Sequence, residues 1–519
     1  MKRALLLAGS LWLSSAFAAE LKPVAVLPPV ADGKVPEGIP LAIQERANAH
    51  LLSSGKWAVM HGRAVLSMTL HQGMKLSTLN DPNDARAAAQ RLGVNAFFFG
   101  TLSVAKDAWT LKLNVSHVGD PGVTSKEIKL PPHEAEAVAK AGQEIAVAIA
   151  AADGVKLELT AIPGPASDAA MRDYAACAQL VDAQPIGVEN PTVLDPVQLT
   201  RAQGLCSSAT KESPKFADAW ATLALANAIA GSDDRALTAL NTATGLWQPA
   251  PYHLPNLVLA HFWLVTRYQS AEAGETVLKE ALAKEPGFLL ARGYLAELYN
   301  VTGKHADAAK VWQDYIAITP NGPFIISRLG YTLARLGKTD DAAKFAQKAL
   351  AFDPQSPELN LELASRWLDA GQPDKAIAVL EPIDKATPTP DVVLRLGYAQ
   401  LVKGDVDAAQ KTLERAYTLA KAPGEWRTRG RAKLNLAAIA LKKGKKDEAQ
   451  KLAREAVSEG LKPVATPETK DVLALLTPAE LAGKDAKVKE ASPFSLKGGE
   501  VDPSTHPKEP KGFEEQKVK

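Results

Sequence analysis

The chain has 519 residues, with 60 Lys and Arg against 58 Asp and Glu, 46% hydrophobic residues and two cysteines. So small a net charge on so long a chain removes the bulk electrostatic argument for a nucleic-acid partner. Two cysteines build neither a disulfide scaffold nor a four-thiolate zinc site.

Lys2 and Arg3 precede an apolar run over residues 4–13, and Ser14-Ser15-Ala16-Phe17-Ala18 follows. A charged start, a short apolar stretch and small residues at Ala16 and Ala18 form the pattern of a secretory signal peptide over residues 1–18. The run is too short to cross a hydrocarbon core, which takes about 20 residues, and no later stretch is long and apolar enough to do so. Cleavage is expected before Ala19. No cysteine follows that point, so the product is expected to be periplasmic and not a lipoprotein. Lys2 and Arg3 are the only charges before Ala19 and account for the whole surplus of +2. Recognition by the mature chain therefore rests on shape and local patches.

Residues 19–160 alternate short apolar runs with helical periodicity. Residues 24–30 read as a buried strand, 38–52 as an amphipathic helix with Ile39, Ile43, Ala47 and Leu51 on one face, and 57–60 as a second strand. A short helix over 84–92 leads into an apolar strand at 96–104, and 109–118 alternates as a half-buried strand does. An Ala-rich helix over 133–152 closes the unit. This order predicts an α/β domain, a sheet with helices packed on it. The opening VAVLPPV, the stretch IPLAIQERANAHLLSSGKWAVM and the stretch AAAQRLGVNAFFFGTL resemble the amino-terminal α/β domains of the TolB family and the CsgG-like domains. The resemblance implies a protein-contact module of the cell envelope and no catalyst.

Beyond it lies a repeat. Pro286, Pro320, Pro354 and Pro388 stand 34 residues apart, and small residues (Ala236, Gly274, Ala308, Ala342, Ala376, Ala409, Ala449) keep nearly the same step. Each unit also carries Leu before Gly or Ala, as in Leu295-Ala296, Leu329-Gly330 and Leu396-Gly397. Small residues let paired helices approach, and proline marks the boundary between units. The period resembles the tetratricopeptide repeat (TPR), and implies an all-α superhelix, an α-solenoid whose units bury their apolar faces against one another. About seven repeats are expected over 217–461. Residues 167–216 read as an atypical capping repeat, its helices separated by an insertion at 183–196. Residues 462–483 are expected to form carboxy-terminal capping helices, and 484–519, rich in Lys, Glu, Pro and Gly, a disordered tail.

In this register Cys177 and Cys206 fall near facing positions of the two helices of the atypical repeat. A disulfide is expected in an oxidising compartment; the alternative is two buried thiols acting as small apolar residues.

The sequence holds no phosphate-cradling glycine loop, no nucleophile elbow and no HExxH helix. His253 and His261 stand eight residues apart with no carboxylate cluster, and the acidic pairs Asp340-Asp341 and Asp447-Glu448 open second helices, where the dipole favours them. No enzyme, cofactor or metal site is expected. The basic run at 442–446 reads as a solvated turn, with an anionic partner as the alternative. First-helix positions facing the groove include Asn300, Tyr331, Arg335, Tyr398 and Lys442, and these are the candidate partner-binding residues; Tyr and Arg are over-represented in hot spots. Trp367 shares the packing register of Tyr299 and reads as core. A two-carboxylate clamp of Lys and Asn is not expected, since Gly293, Glu297, Ser327 and Tyr331 hold the corresponding positions. The expectation is a periplasmic scaffold that binds protein or peptide partners of the envelope, with peripheral association with membrane complexes. The alternatives are a regulatory module whose α/β domain binds a small ligand and an enzyme without a recognisable motif.

Overall fold

The computed structural model describes residues 21–71, 74–106, 108–184, 196–247, 254–354, 356–422, 425–461 and 465–482. The expected signal peptide, most of the 183–196 insertion, His253 and the 484–519 tail lie outside them. The chain divides into two compact units, one up to Ile326 and one starting at Ser327.

The first unit begins with a mixed sheet. β1 (Lys22–Val26) is followed by β2 (Val30–Gly33), β3 (Trp57–Met60), β4 (Ala96–Ala105), β5 (Ala108–His117) and β6 (Thr124–Leu130). The order across the sheet is β3-β1-β4-β5-β6, parallel among β1, β3 and β4 and antiparallel beyond. Pro28 and Pro29 have no N–H to donate, so the ladder breaks there and the chain pairs again with β4 as β2, with Val30 opposite Thr101. The single strand expected over 24–30 is therefore two pieces. Four helices accompany the sheet: α1 (Ile39–Ser53), α2 (Gly62–His71), α3 (Pro82–Leu92) and α4 (Glu134–Ala152). Ile39, Ile43, Ala47 and Leu51 of α1 and Ala141, Ile145 and Ile149 of α4 bury their faces in one core with Val24, Phe98, Leu111 and Leu113 of the sheet.

Helix pairs follow. α5 (Asp168–Asp182) and α6 (Pro196–Glu212) make the irregular first pair, cross-linked by Cys177–Cys206, whose Cα atoms are 5.5 Å apart. Ser167 caps α5 by accepting from the Ala170 N–H. The regular pairs of this unit are α7 (Ala217–Ile229) with α8 (Asp233–Trp247), α9 (Pro255–Tyr268) with α10 (Ala271–Lys284), and α11 (Leu289–Val301) with α12 (His305–Ile318). The α/β domain covers the outer face of α5: Met171, Tyr174, Ala175 and Ala178 belong to the same core as Ile39 and Ile145. Two glycines allow this approach. A Cβ at Gly38, whose φ is +80°, would lie 2.1 Å from the Ala175 carbonyl oxygen, and one at Gly287 would lie 2.1 Å from the Trp57 carbonyl oxygen. Gly287 closes the open edge of β3. The Val59 N–H donates to its carbonyl at 3.2 Å, and Val59 bridges Phe288 in parallel sense.

In the second unit, the end of α13 (Pro323–Arg335) is followed by α14 (Thr339–Phe352), α15 (Pro357–Asp369), α16 (Pro373–Ala386), α17 (Pro390–Lys403), α18 (Val406–Leu419), α19 (Trp426–Lys442) and α20 (Lys446–Ser458). Two short helices finish the described chain, α21 (Lys470–Leu473) and α22 (Pro478–Leu481). Val472, Leu473 and Leu476 cover Leu434, Ala437, Ala453 and Val457 of α19 and α20, and a Thr477–Glu480 capping box starts α22.

Two predictions follow from the packing. Gly287→Ala is expected to cost about 1–3 kcal/mol, because a backbone oxygen cannot yield to the new methyl. Gly245→Ala, which meets nothing within 4 Å, is expected to be neutral or stabilising. Denaturant melts of both variants check this, and equal midpoints would refute it. Replacing both cysteines by Ala opens a cross-link spanning 29 residues and is expected to cost about 2–4 kcal/mol. The same loss should appear on adding reductant to the native chain and be absent when the variant is treated.

Candidate partner-binding surface

In the second unit α15, α17 and α19 are the first helices of their pairs, and their outward side chains meet in a row with those of α13. Tyr331 of α13 lies between two guanidinium groups, Arg328 at 5.0 Å and Arg366 of α15 at 5.4 Å from its ring centroid. Arg366 is itself buried and held by Glu362 at 3.3 Å and Asp369 at 2.9 Å. Arg395 of α17 donates to the Ser365 hydroxyl, and burial lowers the pKa of its guanidinium. Thr428 of α19 donates to Asp391 of α17 at 2.5 Å. Adjacent first helices are thus joined by polar side chains, an arrangement that fixes each arginine in place.

Tyr398 of α17 extends this row. Its hydroxyl donates to Glu468 Oε2 at 2.8 Å, so a non-helical segment of the chain's own carboxy-terminal part lies on the first-helix face. Burial raises the Tyr398 pKa, and the neighbouring Glu468 carboxylate adds to the effect. Of the other candidate residues, Arg335 and Lys442 are exposed at the carboxy-terminal ends of α13 and α19. Asn300, in the first unit, is 4% exposed and lies 3.3 Å from His305 Nδ1. Trp367 is half-buried, with the Lys375 ammonium 4.2 Å from its ring centroid. The structure thus brings Tyr331 together with Arg366, and Tyr398 together with Glu468. Arg366, Arg395, Ser365 and Glu468 escape the sequence reading. Arg395 stands three residues before Tyr398, as Arg328 stands three before Tyr331, and that recurrence is the signal that marks Arg395 and Arg328 but not Arg366.

A second polar cluster lies inside the first unit, between the α/β domain and α5. Ligand atoms of Glu45, His61 and Asp182 all fall within 4.8 Å of one another. His61 sits just before α2 and accepts the Arg63 N–H on Nδ1 at 3.1 Å. That bond leaves the ring proton on Nε2, 3.4 Å from Glu45 Oε2. The Arg63 guanidinium donates to Asp182 Oδ1 at 3.0 Å and to the carbonyls of Val181 and Gln184. The cluster is thus tied together by its own contacts, His61 Nε2 facing Glu45 and the Arg63 guanidinium on Asp182. Burial, reinforced by the Asp182 charge, pushes the Glu45 carboxyl up to about 8. Burial, reinforced by Arg63, holds the His61 imidazole down at about 3. Chemically, the cluster stores one proton on Glu45 at the joint.

Two family models of the tetratricopeptide repeat match, one over residues 333–396 and the other over 269–323 and 394–466. These segments are tetratricopeptide repeats. No curated protein matches the chain. Among solved structures, yeast Tom70 aligns at 16% identity and a TM-score of 0.40, covering 61% of this chain and 64% of that one. The chain thus spans slightly under two thirds of the Tom70 chain. A tetratricopeptide repeat protein from Parabacteroides merdae aligns at 14% identity and 0.37, covering 60% and 99%. PilW, described as a widely conserved type IV pilus biogenesis factor, aligns at 22% and 0.33, covering 42% and 97%. The TPR array is a scaffold fold, and TPR domains bind protein partners. No helix among the described residues is long and apolar enough to cross a membrane.

The Glu45 cluster makes stability depend on pH. The folded carboxyl holds its proton up to about 8 against an ordinary 4.5, so its contribution is complete below pH 4.5 and drains away as pH rises through 8. His61, at about 3 against an ordinary 6.5, works in the opposite sense, and its contribution is lost as pH falls through 3. Glu45→Gln, which keeps a neutral side chain at every pH, is expected to remove an alkaline loss of about 2–4 kcal/mol. Melting temperatures between pH 5 and 9 check this; parallel curves for native chain and variant would refute it.

Proposed function

We propose that the protein is an exported periplasmic scaffold that binds envelope proteins or peptides and assists assembly of a cell-envelope complex, without catalysis of its own. One observation carries the reading: Tyr398, on the first-helix face, already holds a carboxylate from a non-helical segment of the same chain. A surface with fixed arginines, half-buried tyrosines and room for such a segment suits an extended peptide bearing an acidic group. The amino-terminal pattern of Lys2, Arg3, Ala16 and Ala18 supports export, and the likeness of residues 19–160 to TolB and CsgG-like domains supports an envelope contact for the α/β module. In this reading the two parts hold different partners, and the array supplies the peptide site.

The test uses the mature chain from Ala19 as bait for envelope extracts. Envelope proteins are expected to be captured, and Tyr331→Ala with Tyr398→Ala to reduce capture about tenfold, the scale of one or two hot-spot side chains. Glu468→Gln, which loosens the internal segment, is expected to raise it. Capture unchanged by all three substitutions, in variants that melt as the native chain does, would overturn the surface. A secreted product that does not begin at Ala19 would overturn the proposed cleavage.

A further inference from the structure

A cleft of about 570 Å³ opens between α6 and α8, the second helices of successive pairs, with α7 as its floor. That volume is in the range of pockets that take small molecules or single large side chains. Its shape has a template elsewhere in the same unit. Tyr299 of α11 fills the equivalent position between α10 and α12. Its hydroxyl hydrogen-bonds Glu275 at 2.9 Å, and the ammonium groups of Lys279 and Lys304 each lie 5.8 Å from its ring centroid.

Seventy-two residues earlier the same four positions hold Asn227, Gln203, Ser207 and Ser232. The register is confirmed by the bond between the matched pair. Gln203 Nε2 donates to Asn227 Oδ1 at 2.8 Å, and this pair, like Glu275 and Tyr299, is 24 residues apart. Every filling side chain has been replaced by a shorter, uncharged one. Asn227 and Ser207 line the space that results, with the Trp220 ring and the apolar Leu223 and Ala239. Trp220 spends its indole N–H on the Pro214 carbonyl, at 2.9 Å, which orients the ring.

Asn227 is 4% exposed. Its Oδ1 is bonded by Gln203, while its Nδ2 has no hydrogen-bond partner among the described residues. Nδ2 is not one of the buried atoms that lack a partner, so this donor is open to the cleft, where a bound acceptor can meet it. We propose that this cleft is a specificity pocket for an aromatic side chain, tyrosine above all, presented by a protein partner. The ring takes the place that Tyr299 fills in its own repeat, packing against Trp220 and Leu223, and its hydroxyl accepts from Asn227 Nδ2. Gln203 and Ser207 stand where the template has Glu275 and Lys279 and leave room for the ring, while Asp234 and Arg235 of α8 also line the cleft. The proposal rests on the reading of the array as a binder of protein partners and adds a second site, on the second-helix face of the first unit.

N-acetyl-tyrosine amide serves as probe on the full mature chain, with N-acetyl-leucine amide as the aliphatic control. Binding followed by ligand-observed NMR is expected with a Kd on the order of a millimolar for so small a ligand, and at least several-fold weaker for the leucine compound. Asn227→Tyr installs the template's own ring and is expected to abolish binding while leaving the melting temperature unchanged or higher. Gly204→Leu is the second variant. A Cβ at Gly204 meets nothing within 4 Å, so the new side chain enters the cleft from α6 without disturbing the fold, and the same loss is expected even if Asn227→Tyr fails to fold. Equal affinity for the tyrosine and leucine compounds, binding that survives Gly204→Leu, or no binding at about tenfold the expected Kd would each overturn the pocket. Failure here with envelope partners still captured removes the pocket and leaves the scaffold; a bound probe with no partner captured does the reverse.

Discussion

A solenoid has ends, and the apolar face of its first helix has to be covered by something other than another repeat. In this protein the covering is the α/β domain. Met171, Tyr174, Ala175 and Ala178 of α5 enter the core that holds Ile39, Ile145 and the sheet. The rest of the first unit depends on that shared burial. It places Glu45 and His61 against Asp182, sets Gly38 on the Ala175 carbonyl, and lets the turn at Gly287 close β3. An exposed parallel edge strand invites pairing with another chain, so the array protects the domain as much as the domain protects the array. At the other end two helices of four residues each suffice, because only Leu434, Val457 and their neighbours need cover.

Two polar clusters differ in kind. In the first unit the ionisable cluster is buried at a joint, where its neutral carboxylic acid avoids a second negative charge beside Asp182. In the second, arginines stand on the first-helix face and are tied to acids and hydroxyls of neighbouring helices, so they keep their charge and lose their freedom. In the proposed function that difference separates an adhesive seam from a recognition surface. The first suits permanent contact and the second exchange with a partner, because a pre-positioned arginine gives up little conformational entropy on binding.

Much of this architecture is legible in the sequence, and the unread parts have physical reasons. The 34-residue proline step places the turns, since Pro286, Pro320, Pro354 and Pro388 all fall between a second helix and the next first helix. Strand Trp57–Met60 and the helix from Ile39 show their own periodicity. β6 does not, because Thr124–Leu130 buries only Ile128 and Leu130 and spends its other positions on charged and hydroxyl side chains suited to an outer strand. At the candidate surface, the tyrosines stand out by residue type, but their partners come from other parts of the chain: Arg366 of the next first helix reaches Tyr331, and Glu468 of the carboxy-terminal segment reaches Tyr398. Asn300 shows the limit of register alone: a position counted along a helix as facing outward is closed by His305 from the following turn. Arg63 and Asp182 lie far apart in the chain, and nothing local in either segment announces that they meet.

The closure of β3 by Gly287 also bears on the order in which the molecule assembles. Repeats fold through contacts between neighbours, which close short loops quickly, whereas Val59 reaches its partner only after more than two hundred further residues have been made and arranged. Until α10 and α11 exist, the sheet has an unpaired flank. For a chain that emerges amino-terminus first, the domain synthesised earliest is therefore among the last to be finished, and the interval is the time during which its β3 flank is open to mispairing.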